Sequence, residues 1–278
     1  MRITAIVENT TKQKDLATVH GLSLYIETEK HKILFDVGPD DTLFHNAKAL
    51  GIDLNEVDTV IISHGHDDHG GVLEKFLEKN KKAKVYIQEA AFRKHQKRWM
   101  LFRLHIGLDE RLIHHRRIHL LHGDHHIDDA LYLFTVKETH RLRSPANDTL
   151  LEDGEKDRFR HEQNLLISET DGTVLITGCG HTGIVNILDR AEEFRPDVVV
   201  GGFHLSMPGS KKQVPDTLLA GIAKELAAYP DTAFYTGHCT GLYAYEQLAA
   251  QTGNLHYLAA GESIQLPSAP DSKNGTKK

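Results

Sequence analysis

Four apolar, β-rich segments of this chain are each followed within a few residues by a histidine. The segments are VDTVIIS, TVLITG, DVVVGGF and TAFYTG, and the histidines after them are His64, His181, His204 and His238. Segments with helical spacing come next, so the chain repeats a strand–loop–helix order that predicts an α/β fold. In such folds, ligands gather beyond the carboxyl ends of the strands, where the loops meet. We therefore expect these histidines to converge at one edge of a sheet.

The stretch HGHDDHGG, residues 64–71, carries three histidines and two aspartates within six residues. Histidine is common in this chain, with 20 among 278 residues, so its density alone is weak evidence and its spacing has to be considered. Residues i and i+2 of a loop can face the same side, so His64 and His66 can bind one ion. Asp68 and His69 are displaced along the loop and can reach a second ion. Imidazole and carboxylate groups suit zinc, and also iron or manganese.

Residues from distant loops would complete two coordination spheres. His181 and His238 are the candidates, and five or six ligands shared by two ions leave positions open for water, as a catalytic site requires. Asp36 is expected to orient the histidine loop rather than to bind a metal. Cys179 and Cys239 neighbour these candidates, but free cysteines usually behave as small buried hydrophobic residues, and we expect the same here.

Several motifs resemble those of a known family. HGHDDH matches the H-x-H-x-D-H signature of the metallo-β-lactamase superfamily. KILFDVG, GLSLYIE, GCGHTGIVNIL, GGFHL and TGHCTG are similar to a branch of metal-dependent hydrolases that includes an archaeal dihydropterin–ribofuranosylaminobenzene phosphate synthase. The resemblance covers about residues 1–266 and implies one α/β domain, a four-layer αβ/βα sandwich. It also places a basic, cap-like insertion at about residues 91–160, and residues 267–278 are expected to form a disordered polar tail.

The resemblance implies a division of the ligands between two divalent metal ions, most simply zinc. One ion would take His64, His66 and His181, and the other Asp68, His69 and His238. Many members bridge the two ions with an Asp or Cys, but the corresponding region here, VVVGGFHLSMPG, offers only His204. His204 could bind one ion, donate a proton or contact the substrate. Asp68 would also hold and orient the nucleophilic water.

These motifs favour a metal-dependent hydrolase that uses a metal-activated water on a phosphate-bearing or other anionic small-molecule ester. Two alternatives stay open. One is a transferase that joins a pterin diphosphate to an aminobenzene ribotide, as in the related branch. The other is a metal-binding protein without catalysis, against which the complete ligand set argues.

Composition narrows the choice of partner and compartment. The net charge is −6 and the pI is about 6.4, which does not favour nucleic-acid binding. No apolar run approaches the ~20 residues that span a bilayer, so no membrane partner is expected. The N-terminal residues lack a secretory signal pattern, and two cysteines provide no disulfide framework. We expect a cytoplasmic protein that acts on a small anionic substrate.

A basic stretch, residues 93–117, contains eight Lys or Arg against two Asp or Glu. It lies between the first histidine motif and His181, where the fold can cover the metals. As a lid, it would bind an anionic substrate through the cations Arg93, Lys94, Lys97 and Arg98, with Trp99 stacked on a ring. As a solvated helix, it would instead pack its apolar stripe on the domain or on a second subunit, which leaves a homodimer open.

Overall fold

The computed structural model of the chain describes residues 1–206 and 213–266. The predicted polar tail, residues 267–278, lies outside the described residues. The strands of the first half are β1 Arg2–Val7, β2 Ser23–Glu27, β3 Lys32–Phe35, β4 Thr59–Ile61, β5 Lys84–Gln88, β6 His95–Trp99, β7 Phe102–His105, β8 Ile118–Leu121, β9 His125–His126 and β10 Leu131–Phe134. Those of the second half are β11 Leu150–Glu152, β12 Glu155–Lys156, β13 Asn164–Glu169, β14 Gly172–Ile176, β15 Val198–Val200, β16 Ala233–Thr236, β17 Leu255–Tyr257 and β18 Ser263–Gln265. The α-helices are α1 Thr42–Ala49, α2 Asp67–Gly70, α3 Leu73–Lys79, α4 Ile184–Ala191, α5 Asp216–Leu226 and α6 Leu242–Ala249.

Two seven-stranded sheets repeat one plan. The first has the order β18-β1-β2-β3-β4-β5-β8, with antiparallel pairing up to β3 and parallel pairing from β3 to β8. The second has the order β17-β16-β15-β14-β13-β10-β9, with parallel pairing from β17 to β14 and antiparallel pairing beyond. The register pairs Val60 with Val85 in the first sheet and Val199 with Phe234 in the second.

The sheets and helices stack in four layers. One hydrophobic cluster joins the facing sides of the sheets, with Leu24 and Phe35 from the first and Leu165 and Ile176 from the second. A second cluster packs α1 and α3 on the outer face of the first sheet, and a third packs α4, α5 and α6 on the outer face of the second. Strands covered on both faces read as continuous apolar runs, as VVV of β15 does. The predicted four-layer αβ/βα sandwich is confirmed.

A third, four-stranded sheet with the order β12-β11-β6-β7 forms the cap. The basic stretch enters it as a β6–β7 hairpin, not as a helix, because β6 pairs with β11 from a distant part of the chain. The predicted insertion, residues 91–160, also contains β8, β9 and β10, which belong to the two main sheets. The cap therefore consists of two separate segments rather than one continuous insertion.

The C-terminal segment HYLAAGESIQL, residues 256–266, contributes to two different sheets. β17 lies at the edge of the second sheet and β18 at the edge of the first. Gly261 between them has a φ of +87°, a left-handed conformation that glycine adopts without steric cost. Among the described residues, no helix has both the length and the apolar character needed to cross a bilayer.

Candidate metal centre

The predicted histidines meet at the carboxyl ends of β4, β14, β15 and β16. The ring of His64 lies 4.5 Å from that of His66, 4.2 Å from that of His69 and 4.9 Å from that of His181, measured between centroids. The His69 ring lies 4.9 Å from that of His238, and the His181 ring 4.1 Å from that of His204. The predicted convergence is confirmed. The role of each residue stays a prediction that the following geometry supports.

His64 and His181 form the first pair, with their Nε2 atoms 3.3 Å apart. Ser63 donates its hydroxyl proton to Asp36, so its oxygen accepts from His64 Nδ1 at 2.8 Å. His181 Nδ1 donates to the side-chain oxygen of Asn147 at 2.9 Å. With both Nδ1 atoms protonated, the two Nε2 lone pairs face each other. Burial lowers the pKa of both rings well below the usual value, so neither carries a second proton that would relieve this contact.

His66 adds a buried ring to this pair. Its Nε2 is buried and has no hydrogen-bond partner among the residues that the structure describes, although buried ring nitrogens are normally paired. Burial, followed by the neighbouring His161, lowers the pKa of His66 well below the usual value. A nitrogen of His66 can bind the same ion as His64 and Asp68, since the three donor atoms lie within 4.8 Å of one another.

Asp68, His69 and His238 form the second group. His69 Nε2 lies 3.1 Å from His238 Nε2, and the Asp68 carboxylate lies 3.4 Å from His238 Nε2 and 3.7 Å from His69 Nε2. Asp36 accepts from His69 Nδ1 at 2.6 Å, a contact that supports its predicted orienting role. His238 Nδ1 donates to the side-chain oxygen of Asn9 at 3.0 Å. As in the first pair, the Nδ1 atom of each ring donates a hydrogen bond to a supporting side chain, and the Nε2 atoms face each other.

Two carboxylates set the charge of the second group. Burial lowers the pKa of His69, but Asp68 and Asp36 outweigh burial and raise it to about 9. Burial opposes ionisation of Asp68, yet His69 and His238 keep its pKa well below the usual value. Without a metal, His69 is therefore protonated at neutral pH.

The loop between β4 and α3 places these ligands by close contacts. A Cβ on Gly65 would collide with the carbonyl oxygen of Ala91, so glycine is needed here for space rather than for a left-handed φ. The N–H of Asp67 donates to the carbonyl of Ile106 at 2.8 Å, which joins the metal loop to the base of the cap hairpin. The metal loop and the cap therefore form one connected unit.

The donor set fits divalent cations. Two nitrogens that share one tetrahedral zinc lie about 3.4 Å apart, because each zinc–nitrogen bond is about 2.0–2.1 Å long. The two Nε2–Nε2 distances, 3.3 Å and 3.1 Å, agree with that value. Facing lone pairs and an unpaired buried nitrogen are stabilised by a cation and disfavoured without one. The arrangement can hold one ion or two.

His204 stands beside both groups in a strained backbone conformation. Its φ is +46°, which is uncommon for a residue with a Cβ, and its buried Nδ1 has no hydrogen-bond partner within the described part of the chain. Donor atoms of His204, Cys179 and Cys239 lie within 4.8 Å of one another. Metal binding, proton donation and substrate contact, the three roles proposed for His204 from the sequence, therefore all stay predictions.

Cys179 lies closer to the centre than its sequence context suggested. Its Sγ is 3.1 Å from His69 Nε2, and it can join ligand groups with His64 and His181 as well as with Asp68 and His238. Burial raises the pKa of this thiol. We expected a small buried hydrophobic residue; Cys179 is buried, but its sulfur faces the candidate ligands.

The residues that hold the ligands in position were not predicted from the sequence. The carboxylate of Glu162 accepts from the backbone N–H groups of His181 and Thr182. His161 Nδ1 accepts from the N–H of Gly65 at 2.9 Å, and its Nε2 donates to Asp157 at 3.1 Å. These residues lie 19 to 96 positions from the groups that they hold, and the short polar stretch around them resembles an ordinary loop, so the sequence provides no signal for them.

A cavity of about 410 Å³ opens beside the ligands. Its lining includes His66, Asp68, His181 and His204, together with three residues of the β6 strand: Lys97, Arg98 and Trp99. Arg93 and Lys94 do not line it. Arg93 instead pairs with Glu152 at 2.6 Å. Arg93 and Lys94 both line a separate groove. The predicted set of substrate-binding cations is therefore divided by the structure, because β6 extends from the base of the cap toward its tip.

Family comparison agrees with the fold and the site. A family model of the metallo-beta-lactamase superfamily matches residues 17–190, and the chain belongs to this superfamily. Members of this fold family bind divalent metals, and the His and Asp clusters described above could hold such an ion.

Individual relatives are more distant. The chain is 28% identical over 259 residues to a 7,8-dihydropterin-6-methyl-4-(beta-D-ribofuranosyl)-aminobenzene-5'-phosphate synthase of Methanocaldococcus jannaschii, covering 81% of this chain and 82% of the synthase. It is 27% identical over 272 residues to an uncharacterized protein of the same archaeon, covering 95% and 100% of the two chains. The crystal structure of Tm1679, described as a metal-dependent hydrolase of the beta-lactamase superfamily, matches with a TM-score of 0.77 and 29% identity, covering 95% and 98%.

Proposed function

We propose that this protein is a zinc-dependent hydrolase of a phosphate-bearing or other anionic small-molecule ester. One observation carries the proposal: two pairs of imidazole Nε2 atoms and the Asp68 carboxylate converge beside a cavity that is also lined by Lys97 and Arg98. A site that only stored metal would need no open cavity and no cations beside it.

His64, His66 and His181 would hold one ion, and Asp68, His69 and His238 a second. Zinc ions bound there would supply Lewis acidity and lower the pKa of a coordinated water. The ring Nδ1 atoms of His64, His69, His181 and His238 keep the proton, through Ser63, Asp36, Asn147 and Asn9, so that Nε2 stays available as a ligand.

Asp68 and His204 would carry the proton transfers. The low pKa of Asp68 keeps its carboxylate ionised, so it can accept a hydrogen bond from the attacking water and orient it. His204 lines the cavity, so its ring would donate a proton to the leaving oxygen. Ester cleavage then adds the water oxygen to the acyl or phosphoryl centre and returns the proton to the leaving group.

Lys97, Arg98 and Trp99 would recognise the substrate. Arg98 contacts the carbonyl oxygen of Asp148 through one guanidinium nitrogen at 3.0 Å, which positions it on the cavity wall. The cavity volume of about 410 Å³ suits a single small molecule with a phosphate and a ring.

The test is a substrate screen with zinc-loaded protein against phosphodiesters, phosphomonoesters, lactones and thioesters. We expect turnover of an anionic ester that disappears after chelation and returns with zinc. Absence of turnover across all four classes in protein of full metal content would contradict the hydrolase proposal.

A transferase is a second candidate, and the similarity to the archaeal synthase supports it. In that reaction the carbon–oxygen bond to diphosphate would break and diphosphate would leave. The pterin methylene would bond to the aminobenzene ribotide, which would lose one proton to water. The same cations would stabilise the leaving diphosphate. Product formed only when a pterin diphosphate and an aminobenzene ribotide are both present, without hydrolysis of generic esters, would select the transferase.

We also propose a cytoplasmic location. Cys179 and Cys239 are both free and buried, and the Cys239 thiol lies 3.4 Å from the carbonyl oxygen of Cys179. Two free thiols beside candidate metal ligands suit a reducing compartment.

A further inference from the structure

A second cavity, of about 840 Å³, lies in the protein apart from the metal centre. None of its lining residues lines the cavity beside the candidate ligands. Five of them are cationic, and they come from four separate parts of the chain: Arg93, Lys137, Arg143, Arg158 and Arg160. The carboxylate among the lining residues is that of Glu89, which lies 3.4 Å from His122.

Four of these five cations have no carboxylate partner among residues 1–206 and 213–266. Arg93 pairs with Glu152, but no carboxylate in the described part of the chain lies within 4 Å of Lys137, Arg143, Arg158 or Arg160. Arg143 Nε is buried, and no described residue is its hydrogen-bond partner. In a chain with a net charge of −6, concentrating unpaired cations around one concavity costs free energy, which a bound anion would offset.

The same cavity has an apolar wall. This wall is formed by Phe92, Ile113, Leu121 and Val136. The side chains of Phe92 and Leu121 are buried. A site with guanidinium groups on one side and an aromatic and aliphatic surface on the other suits a ligand that combines phosphates with a ring. A volume of about 840 Å³ accommodates a nucleotide.

Residues 157–161, DRFRH, lie between this cavity and the metal centre, and their side chains alternate between buried and exposed. Phe159 is buried and stacks on the ring of His181, with centroids 4.6 Å apart and an angle of 4° between the planes. Asp157 and His161 are also buried on the metal side. Arg158 and Arg160 are exposed and line the second cavity. One short segment therefore supports a candidate ligand on one side and presents two cations on the other.

We propose that the second cavity, named here the arginine cavity, is a binding site for a small organic phosphate with at least two negative charges and an apolar ring, the chemistry of a nucleoside diphosphate. This site is distinct from the metal centre and from any substrate bound there. The phosphates bind Arg158, Arg160, Lys137 and Arg143, and the ring packs on the wall formed by Phe92 and Ile113.

The probe is α,β-methylene-ADP, which resists hydrolysis, titrated calorimetrically into the metal-loaded full-length protein. We expect saturable 1:1 binding that weakens with salt. Adenosine and methylenediphosphonate, which carry the ring or the two phosphonates alone, should each bind at least about tenfold more weakly. Metal content is measured before and after each titration, so that chelation by the probe is detected.

Two double variants locate the probe. Arg158→Gln with Arg160→Gln should weaken binding at least about tenfold, and so should Lys137→Gln with Arg143→Gln, which guards against a local defect in one segment. Lys97→Gln with Arg98→Gln, at the metal cavity, should leave the probe affinity unchanged.

The outcomes are separate from those that test the hydrolase. No binding, or equal affinity in both arginine-cavity variants and the parent protein, would overturn the proposal. Loss of binding only in the Lys97 and Arg98 variant would place the probe at the metal cavity and overturn it as well. Binding to the arginine cavity in a protein without esterase activity would support this site while contradicting the proposed function.

Discussion

His64 Nε2 and His181 Nε2 face each other at 3.3 Å while their protons lie on the opposite sides of the rings. We expect His64→Ala, His66→Ala and His181→Ala each to lower the bound metal, because each removes a buried nitrogen of the first group. Elemental analysis of the purified variants measures this loss. His140→Ala is the control, since His140 is exposed and pairs with Glu138. Metal content equal to that of the parent protein in all three variants would end the assignment.

Asp68→Asn should reduce activity far more than stability. The amide is a weaker metal ligand and cannot accept a proton, so we expect kcat to fall by at least about 100-fold, a barrier increase of roughly 3 kcal/mol. Asp67→Asn is the neighbouring comparison and should cost much less, because no described histidine nitrogen lies within 4 Å of its carboxylate. Turnover by the Asp68 variant within about tenfold of the parent protein would contradict the assigned role.

The metal-free protein should be most stable near pH 6.5 to 7. His69 has a pKa of about 9 in the fold against about 6.5 in an unfolded chain, so its contribution is complete below pH 6.5 and is lost as the pH rises through 9. That contribution is at most about 3 kcal/mol. The lowered pKa values of His64, His66 and His181 act in the opposite direction, because below pH 6.5 the unfolded chain binds protons that the folded rings exclude.

Thermal unfolding of chelator-treated protein from pH 5 to 10 measures both slopes. His69→Gln should remove the loss of stability on the alkaline side and retain the loss on the acid side. An unchanged alkaline slope in this variant would show that another group titrates there.

At the scale of elements, the β6–β7 hairpin divides the basic stretch into two sets of cations. Lys97→Gln with Arg98→Gln should raise KM for a phosphorylated substrate about tenfold with little change in kcat, and should flatten the dependence of kcat/KM on salt. Arg93→Gln with Lys94→Gln is the matched control, with the same charge change on residues outside the metal cavity. Kinetic constants at several salt concentrations provide the comparison. Equal effects of the two double variants would mean that the net charge of the cap, rather than contact with substrate, sets KM.

The sequence predicted well those elements whose signal is local. The apolar runs before His64, His181, His204 and His238 identified β4, β14, β15 and β16, and the rule that ligands gather at strand ends predicted their convergence. The cap was harder, because β6 is a strand through its pairing with β11, more than 50 residues away.

The supporting residues of the site could not be predicted for the same reason. Asn147, Asp157, His161 and Glu162 follow no strand with a recognisable pattern. Their contacts with the metal loop and with His181 depend on the tertiary fold rather than on local sequence. Cys179 was judged from its residue type, whereas its position between the two ligand groups depends on how β14 and the metal loop approach each other.

At the scale of the whole molecule, β7 is an edge strand of the cap sheet that pairs, among the described residues, with β6 on one side alone. All four residues of β7 are exposed, and Met100 and Leu101 at the hairpin tip are 80% and 96% exposed. A second copy can pair antiparallel with β7 across a two-fold axis, which would extend the cap sheet and cover Phe102 and Leu104.

We therefore expect a homodimer. Light scattering should give twice the chain mass for the parent protein and the chain mass for Phe102→Lys with Leu104→Lys. Leu242→Lys is the control, since Leu242 is exposed at the start of α6, outside the cap. A monomeric parent protein, or a dimer that persists in the double variant, would exclude this edge as the interface.

The alternation in residues 157–161 has a thermodynamic consequence. Phe159 stacks on His181 while Arg158 and Arg160 line the arginine cavity, so a ligand that shifts this segment changes the free energy of both sites. Linkage then requires reciprocity: the factor by which α,β-methylene-ADP alters metal affinity equals the factor by which metal alters the affinity for the analogue. Two independent titrations, one of each ligand in the presence and absence of the other, must therefore return the same number.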